Sequence, residues 1–314
     1  MQVAVIIPCF NVEKHIEQTL HSVISQSHPA LDIVCVDDGS TDRTVSIIKS
    51  VIGSTDRPLR LLQQSHGGAC AARNAGVATT KGNYIQFLDA DDLLLPDKIA
   101  KQLESALIAR ADLVVGNYSA VEEDGSERQI QPESQSDWMA LIRTQMGTTS
   151  ANLWNRDALV SAGGWDESLK SSQDYELIYR MMINGASIVY NTFVGVRVLK
   201  RTTGSISQTD KFYNWLRYIT LRCDIRDHLL IAGQERYAAE LEVCDQYLFM
   251  AIRAVSQYDM GKAESLFDEI MPSGFRPVPS KAISIRYIRL YRIFGFALTE
   301  RIIRFLKPEL YRLK

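Results

Sequence analysis

The 314-residue sequence has only five cysteines, an odd number with no Cys-x-x-Cys pair. That scarcity argues against a disulfide framework and reads as reduced, buried thiols of a cytosolic protein. No apolar run is long enough to span a bilayer. Nothing before the first strand-like run, Val3 to Ile7, resembles a basic region, an apolar core and a cleavage site, so secretion is not expected. Charge of either sign is not in excess: 35 basic and 37 acidic residues leave a formal net charge of -2, with no global basic field, so nucleic acid is not the expected partner. Neither the dinucleotide-binding pattern GxGxxG nor a P-loop ending in Gly-Lys-Ser/Thr occurs, although His66 to Gly76 is a glycine-led entry into a helix of small residues.

What is present is ample core, since 46% of the residues are hydrophobic. Val3-Ala4-Val5-Ile6-Ile7 is a continuous run suited to a strand buried on both faces, and it stops at Pro8-Cys9-Phe10-Asn11. Asn11 is a candidate N-cap for a helix through Ile16, Leu20 and Val23. Leu31 to Val36 forms a second strand, ending in Asp37-Asp38-Gly39-Ser40-Thr41-Asp42, where Gly39 permits a tight turn and Ser40 or Thr41 can cap the next helix. Leu59 to Leu62, Tyr84 to Leu88 and Leu113 to Gly116 continue an alternation of strands and helices. The alternation predicts an α/β fold built on a mainly parallel, doubly wound sheet, which places ligands beyond the carboxyl ends of its strands.

The fourth strand runs directly into Asp89-Ala90-Asp91-Asp92. Three carboxylates within four residues repel one another and call for a cation or a polyhydroxylated ligand. Hard oxygen donors select Mg²⁺ or Mn²⁺, which keep open positions for phosphates. The competing reading is a solvated acidic turn before a helix starting at Pro96. Asp37 and Asp38 share the same sheet edge, and five acids on one edge favour a ligand site. Arg73, one turn into its small-residue helix, either lies near a diphosphate or pairs with an acid of the site.

Together, Pro8-Cys9-Phe10-Asn11, Val36 to Asp42, Ala72-Arg73-Asn74-Ala75-Gly76 and Leu88 to Asp92 resemble the family 2 glycosyltransferases of the GT-A fold. The resemblance covers roughly the first two hundred residues and rests on four motifs in order. It implies an inverting, metal-dependent hexosyl- or N-acetylhexosaminyl-transferase of bacterial polysaccharide type. The donor would be a nucleoside-diphosphate sugar, with UDP the commonest nucleotide. The nucleoside would lie against Pro8, Phe10 and Asp38, with Asn11, Asp37, Arg73 and Ala90 also at the nucleotide-sugar site. Asp89 would touch the ribose or sugar, and Asp91 would hold the Mg²⁺ or Mn²⁺.

Gly163-Gly164-Trp165-Asp166-Glu167 and Gln173-Asp174 resemble the family's acceptor-side loop and Glu-Asp pair, which puts Asp174 at the catalytic-base position and Trp165 and Gln173 on the acceptor side. Gln173 departs from the usual glutamate, and His66 from the common asparagine. Without the family, Asp174 reads as an N-cap for a helix from Tyr175 to Ile183. Lys200 and Arg201, followed by Thr202-Thr203-Gly204-Ser205, resemble the family's lid over the diphosphate.

These readings expect a catalytic domain over residues 1–205 and an α-helical region over residues 206–314, with a basic amphipathic tail from about residue 281. The tail suits an anionic bilayer interface, where a lipid-linked glycan acceptor would be presented, or packing on the helical region or a second subunit. The expected location is the cytoplasm, with association at the inner membrane face. The alternative functions are a sugar nucleotidyltransferase and a degenerate nucleotide-sugar-binding module. The first would want a glycine-rich basic loop after strand one, which this chain lacks.

Overall fold

The structure, a computed structural model, describes residues 1–131, 135–200 and 210–306. The chain divides into two compact units, Met1–Ser205 and Ile206–Lys314. In the first, β1 (Val3–Cys9), α1 (Ile16–Ile24), β2 (Leu31–Asp37), α2 (Thr44–Gly53), β3 (Leu59–Gln63), α3 (Ala69–Thr79) and β4 (Tyr84–Phe87) follow one another. Then come β5 (Leu93–Leu94), α4 (Lys98–Ala109), β6 (Leu113–Val121), β7 (Glu127–Ile130), α5 (Asp137–Ile142), β8 (Leu153–Asn155), α6 (Arg156–Ser161), α7 (Gln173–Ile183) and β9 (Ile188–Leu199).

The nine strands form one sheet in the order β3-β2-β1-β4-β8-β6-β9-β5, with β7 on β6. From β3 to β4 every pairing is parallel. The three-residue β8 is antiparallel to both β4 and β6, and β6 then pairs in parallel with β9. The result is a mixed α/β sheet.

Its buried run Val3 to Ile7 works on both faces. Val3, Val5 and Ile7 share a core with Ile16, Leu20 and Val23 of α1 and Ile48 of α2. Ile6 faces the opposite layer, where it meets α3 at Gly76, and a Cβ there would collide with the Ile6 side chain. The small residues of α3 therefore serve close packing on the sheet, because a methyl group at the crossing would force the helix off β1.

Three helix starts differ from the sequence reading. The helix expected at Pro96 begins at Lys98, with Asp97 at its N-cap. Asn11 is no cap: α1 starts five residues later, and Asn11 adopts φ 51, a left-handed conformation that asparagine tolerates. Neither Ser40 nor Thr41 caps α2; the Thr44 N–H that opens it donates to Asp42 Oδ1 at 2.9 Å.

The second unit is helical over its described residues: α8 (Lys211–Gly233), α9 (Ala238–Ser256), α10 (Met260–Ile270) and α11 (Ile285–Leu306). Phe249 of α9 is its aromatic hub, with the rings of Phe275, Tyr291, Phe296, Tyr287 and Phe267 centred 5.1 to 6.2 Å away. Glu300 of α11 is buried and compensated. It accepts from Arg253 Nε at 2.6 Å, the Tyr287 hydroxyl at 2.7 Å and Ser256 Oγ at 3.2 Å. Among the described residues, no helix is long and apolar enough to cross a membrane.

Candidate active site

Because β2, β1 and β4 are parallel neighbours, their carboxyl ends open on one sheet edge. After β1 come Phe10 and Asn11, after β2 the turn beginning at Asp38, and after β4 the turn Asp89 to Asp92. The β1–β4 pairing ends at Ile6↔Phe87, two residues before Pro8, whose missing N–H suits a place where the ladder stops. Asn11 links two of these loops: its N–H donates to Ser40 Oγ at 3.0 Å, and its Oδ1 accepts from the Thr41 N–H at 2.8 Å.

Asp38 is buried and its carboxylate is fully used. Oδ1 accepts from the Gly67 N–H and from Gln64 Nε2, each at 2.8 Å; Oδ2 accepts from the Gly68 N–H at 2.8 Å and lies 2.9 Å from His66 Nδ1. Four donors occupy the roughly four lone-pair directions of a carboxylate, so Asp38 holds the β3–α3 loop. Asp37, also buried, receives the Ser40 N–H at 3.3 Å. Gly68 enters α3 at φ 91, a conformation open to glycine, which lets the loop turn its amides onto Asp38. On the outer side Phe10 is 45% exposed and lies against His66, ring centres 4.4 Å apart and planes tilted by 33°, giving an aromatic surface beside the strand ends.

The acid turn is fastened on three sides. Asp92, buried, accepts the Leu199 N–H of β9 at 3.1 Å, and Leu93 of β5 pairs with Arg197 of β9. Ala90 is buried, and its carbonyl accepts from Thr19 Oγ1 at 2.9 Å. The Asp89 N–H donates to Ser150 Oγ at 3.1 Å. Burial, then the neighbouring charges of Asp89 and Asp91, push the Asp92 carboxyl well above the usual range, while a hydrogen bond from Ser150 opposes the shift. The repulsion inferred from sequence is thus a property of the folded turn.

Arg73 joins this turn to α7. Its Nη2 donates to Asp89 Oδ1 at 2.8 Å and its Nη1 to Gln173 Oε1 at 3.1 Å, and its guanidinium lies 4.6 Å from the centre of the Trp165 ring. Arg73 thus pairs with an acid of the site. Gln173 serves as an acceptor here through its amide oxygen, and its Nε2 donates to Leu169 O at 2.7 Å.

Asp174 follows in the first turn of α7, which begins at Gln173 with Ser172 at its N-cap, so Asp174 does not cap the helix. Burial pushes its carboxyl up from the ordinary carboxylate range; the Tyr175 N–H at 3.0 Å and Arg73 oppose the shift, and Asp89 adds to it. Tyr118 of β6, raised by burial, also feels the charges of Asp174 and Asp92. Asp89, Asp91, Asp92, Asp174, Arg73 and Gln173 therefore form one electrostatic group.

Trp165 is buried. It packs edge-on against Phe87 and beside Trp154, with ring centres 5.1 and 5.8 Å away. Its physical role is to floor the site beneath Arg73. Asn74 holds the surrounding turn: Nδ2 donates to Trp165 O and to Glu167 Oε1, each at 2.8 Å, and Oδ1 accepts the Trp165 N–H at 3.0 Å. Ser150 and the clamp made by Asn74 were not foreseen. Asn74 stands beside Arg73 in a recognisable motif, whereas nothing in the sequence near Ser150 points to the acid turn. Arg201 lies outside the described residues.

Among the described residues, no group of three or more His, Cys, Asp or Glu side chains is set to hold a metal ion. A divalent ion completed by ligand phosphates needs only one or two carboxylates, and the mutual repulsion expressed at Asp92 shows a turn that a cation would relieve. The acidic residues of this turn fit such an ion.

Comparisons agree with this geometry. Residues 4–161 match the family model described as Glycosyl transferase family 2. A Bacillus subtilis protein, TuaG, ascribed to teichuronic acid biosynthesis as a glycosyltransferase, is 37% identical over 124 residues, covering 40% of this chain and 49% of TuaG. The chain spans 57%, 17% and 49% of the lengths of three curated glycosyltransferases it matches. S. aureus TarS 1-349 in complex with UDP-GlcNAc superimposes with a TM-score of 0.65 at 19% identity, over 97% of this chain and 92% of TarS. The mannosyltransferase PcManGT of Pyrobaculum calidifontis, in complex with GDP-Man and Mn²⁺, gives 0.56 at 18% identity, over 99% and 88%. These two likenesses show the fold.

Proposed function

The chain belongs to the family 2 glycosyltransferases, and from that premise we propose that it is an inverting enzyme moving a sugar from a nucleoside-diphosphate donor to a hydroxyl of a glycan or lipid-linked glycan. The observation that carries this reading is the link from the acid turn to Asp174 through Arg73 and Gln173. It joins the two carboxylate functions that glycosyl transfer requires.

The nucleoside lies on the Phe10–His66 surface, beside Pro8, with Asp37 and Asp38 ordering the loops around it. Asp89, oriented by Arg73, receives the ribose or sugar hydroxyls, and Arg201, two positions beyond β9 in sequence, is the proposed partner of the diphosphate. A divalent cation, Mg²⁺ or Mn²⁺, when held at Asp91, supplies charge stabilisation to the departing diphosphate. Asp174 takes the proton of the acceptor hydroxyl as its oxygen bonds to the anomeric carbon. The bond from that carbon to the diphosphate oxygen breaks, its electron pair leaving with the diphosphate. One base and a single displacement invert the anomeric centre. Proton removal of this kind contributes about 10²–10⁴-fold. A raised carboxyl pKa suits Asp174, since a base works best when its pKa approaches the working pH.

UDP is proposed as the nucleotide because TarS carries UDP-GlcNAc, and surface-polysaccharide assembly because of the relation to TuaG. The 1–205 unit is proposed as the catalytic domain, working in the cytoplasm where nucleotide sugars are made. Incubation with a panel of UDP-, GDP- and dTDP-sugars tests the proposal. Release of nucleoside diphosphate with one of them is expected, and inorganic pyrophosphate formation from a sugar phosphate and a nucleoside triphosphate would establish a nucleotidyltransferase instead.

A further inference from the structure

We propose that the outward face of α11 is a docking surface for an anionic lipid bilayer, lying in the plane of the membrane. The helix is interrupted at Gly295, with φ 68 and ψ -173, so it consists of two helical segments. The first buries Tyr287 and Ile288 and exposes Ile285, Arg289 and Arg292, spaced four and three residues apart on its other side. The second buries Phe296, Thr299 and Glu300 and exposes Leu298, Arg301 and Phe305, spaced three and four apart. Ile293 and Phe294 are exposed beside the break.

Large apolar side chains left in water are scattered singly on most surfaces, but here they gather. Of the 16 exposed large hydrophobic residues of the described chain, six lie in these 22 residues: Ile285, Ile293, Phe294, Leu298, Phe305 and Leu306. Phe305 is 85% exposed and Ile293 72%. The charge of the helix itself is of nearly one sign, although Arg301 donates to Glu264 of α10 at 2.6 Å. The helix carries five arginines and a single acid, Glu300, which is buried against Arg253.

That combination selects the occupant. Burying aromatic and aliphatic side chains at the acyl boundary while arginines reach phosphates matches an interfacial helix, and the length and apolarity needed to cross a bilayer are absent from this helix. A second copy across a two-fold axis would set the same arginines against one another, a like-charge contact that opposes association.

Flotation of the full-length protein tests this, with vesicles of phosphatidylcholine alone or mixed with phosphatidylglycerol. The protein floats with the mixed vesicles and stays at the bottom with phosphatidylcholine alone, and added salt weakens the binding. Each arginine near an anionic surface contributes about fivefold to partitioning, so Arg289→Ala with Arg292→Ala lowers it about thirtyfold. Leu298→Glu with Phe305→Glu abolishes it, and all variants keep the wild-type thermal midpoint.

Equal flotation with both vesicle types, no flotation, or flotation unaffected by these substitutions would overturn the proposal. So would sedimentation showing a dimer that Leu298→Glu with Phe305→Glu dissociates while vesicle binding is absent from the wild type. Nucleoside diphosphate release from a soluble donor is unchanged in these variants, so failure here and failure of the glycosyltransferase reading are separable.

Discussion

Arg73 Nη2 sits 2.8 Å from Asp89 Oδ1, a contact between a buried guanidinium and a carboxylate that remains 43% exposed. The arginine is fixed while the acid faces solvent. Such an arrangement leaves the carboxylate open to a ligand while the arginine fixes its orientation. Through its second amino group the same arginine reaches Gln173, the residue before Asp174.

The pH dependence of kcat/KM follows from that arrangement. As the proposed base, Asp174 would act in its ionised form, so rate is expected to fall as pH drops through its pKa. Because burial raises that pKa above the ordinary value of 3.8, the acidic limb lies above the one an exposed aspartate would give. Arg73 opposes the shift and Asp89 adds to it, so Arg73→Met moves the limb to higher pH and Asp89→Asn moves it lower. A profile whose acidic limb ignores both substitutions would remove Asp174 as the titrating group.

Asp91→Asn separates metal from nucleotide. Losing a charged ligand costs on the order of 1.5–3 kcal/mol, so calorimetric affinity for the nucleoside diphosphate in the presence of Mn²⁺ falls about tenfold or more. Affinity measured with a chelator present stays close to wild type. Equal Mn²⁺ dependence in the two proteins would assign the cation to another residue.

Asp38→Ala probes stability. It removes the acceptor for two backbone N–H groups, Gln64 and His66 together. Part of the loop is open to water, which rehydrates the freed groups, so the loss is about 1–3 kcal/mol in urea unfolding. Asp38→Asn recovers part of it, because one oxygen still accepts. An unchanged midpoint in the alanine variant would refute the loop-anchor role.

Much of this was legible in the sequence, for local reasons. Val3 to Ile7 reads as a strand because both faces are buried, and the acids announce themselves by standing where apolar runs stop. The small residues of α3 permit a helix pressed onto Ile6. What stayed hidden depends on partners far along the chain. Ser150 meets Asp89 across 61 positions, and Asn11 meets Thr41 across 30. The strand β8 has only three residues, too few for a period, and is defined by its two neighbours. Trp165 follows two glycines in the sequence, and only the fold sets its ring edge-on to Phe87.

In the proposed reaction Asp174 takes the proton of the acceptor while other residues hold the donor. Donor affinity and turnover of Asp174→Asn, measured side by side on the accepted nucleotide sugar, test it most directly. Transfer is expected to fall about 10²–10⁴-fold, with the dissociation constant of the donor within about twofold of wild type. Transfer at the wild-type rate, or loss of donor binding and turnover together, would contradict it.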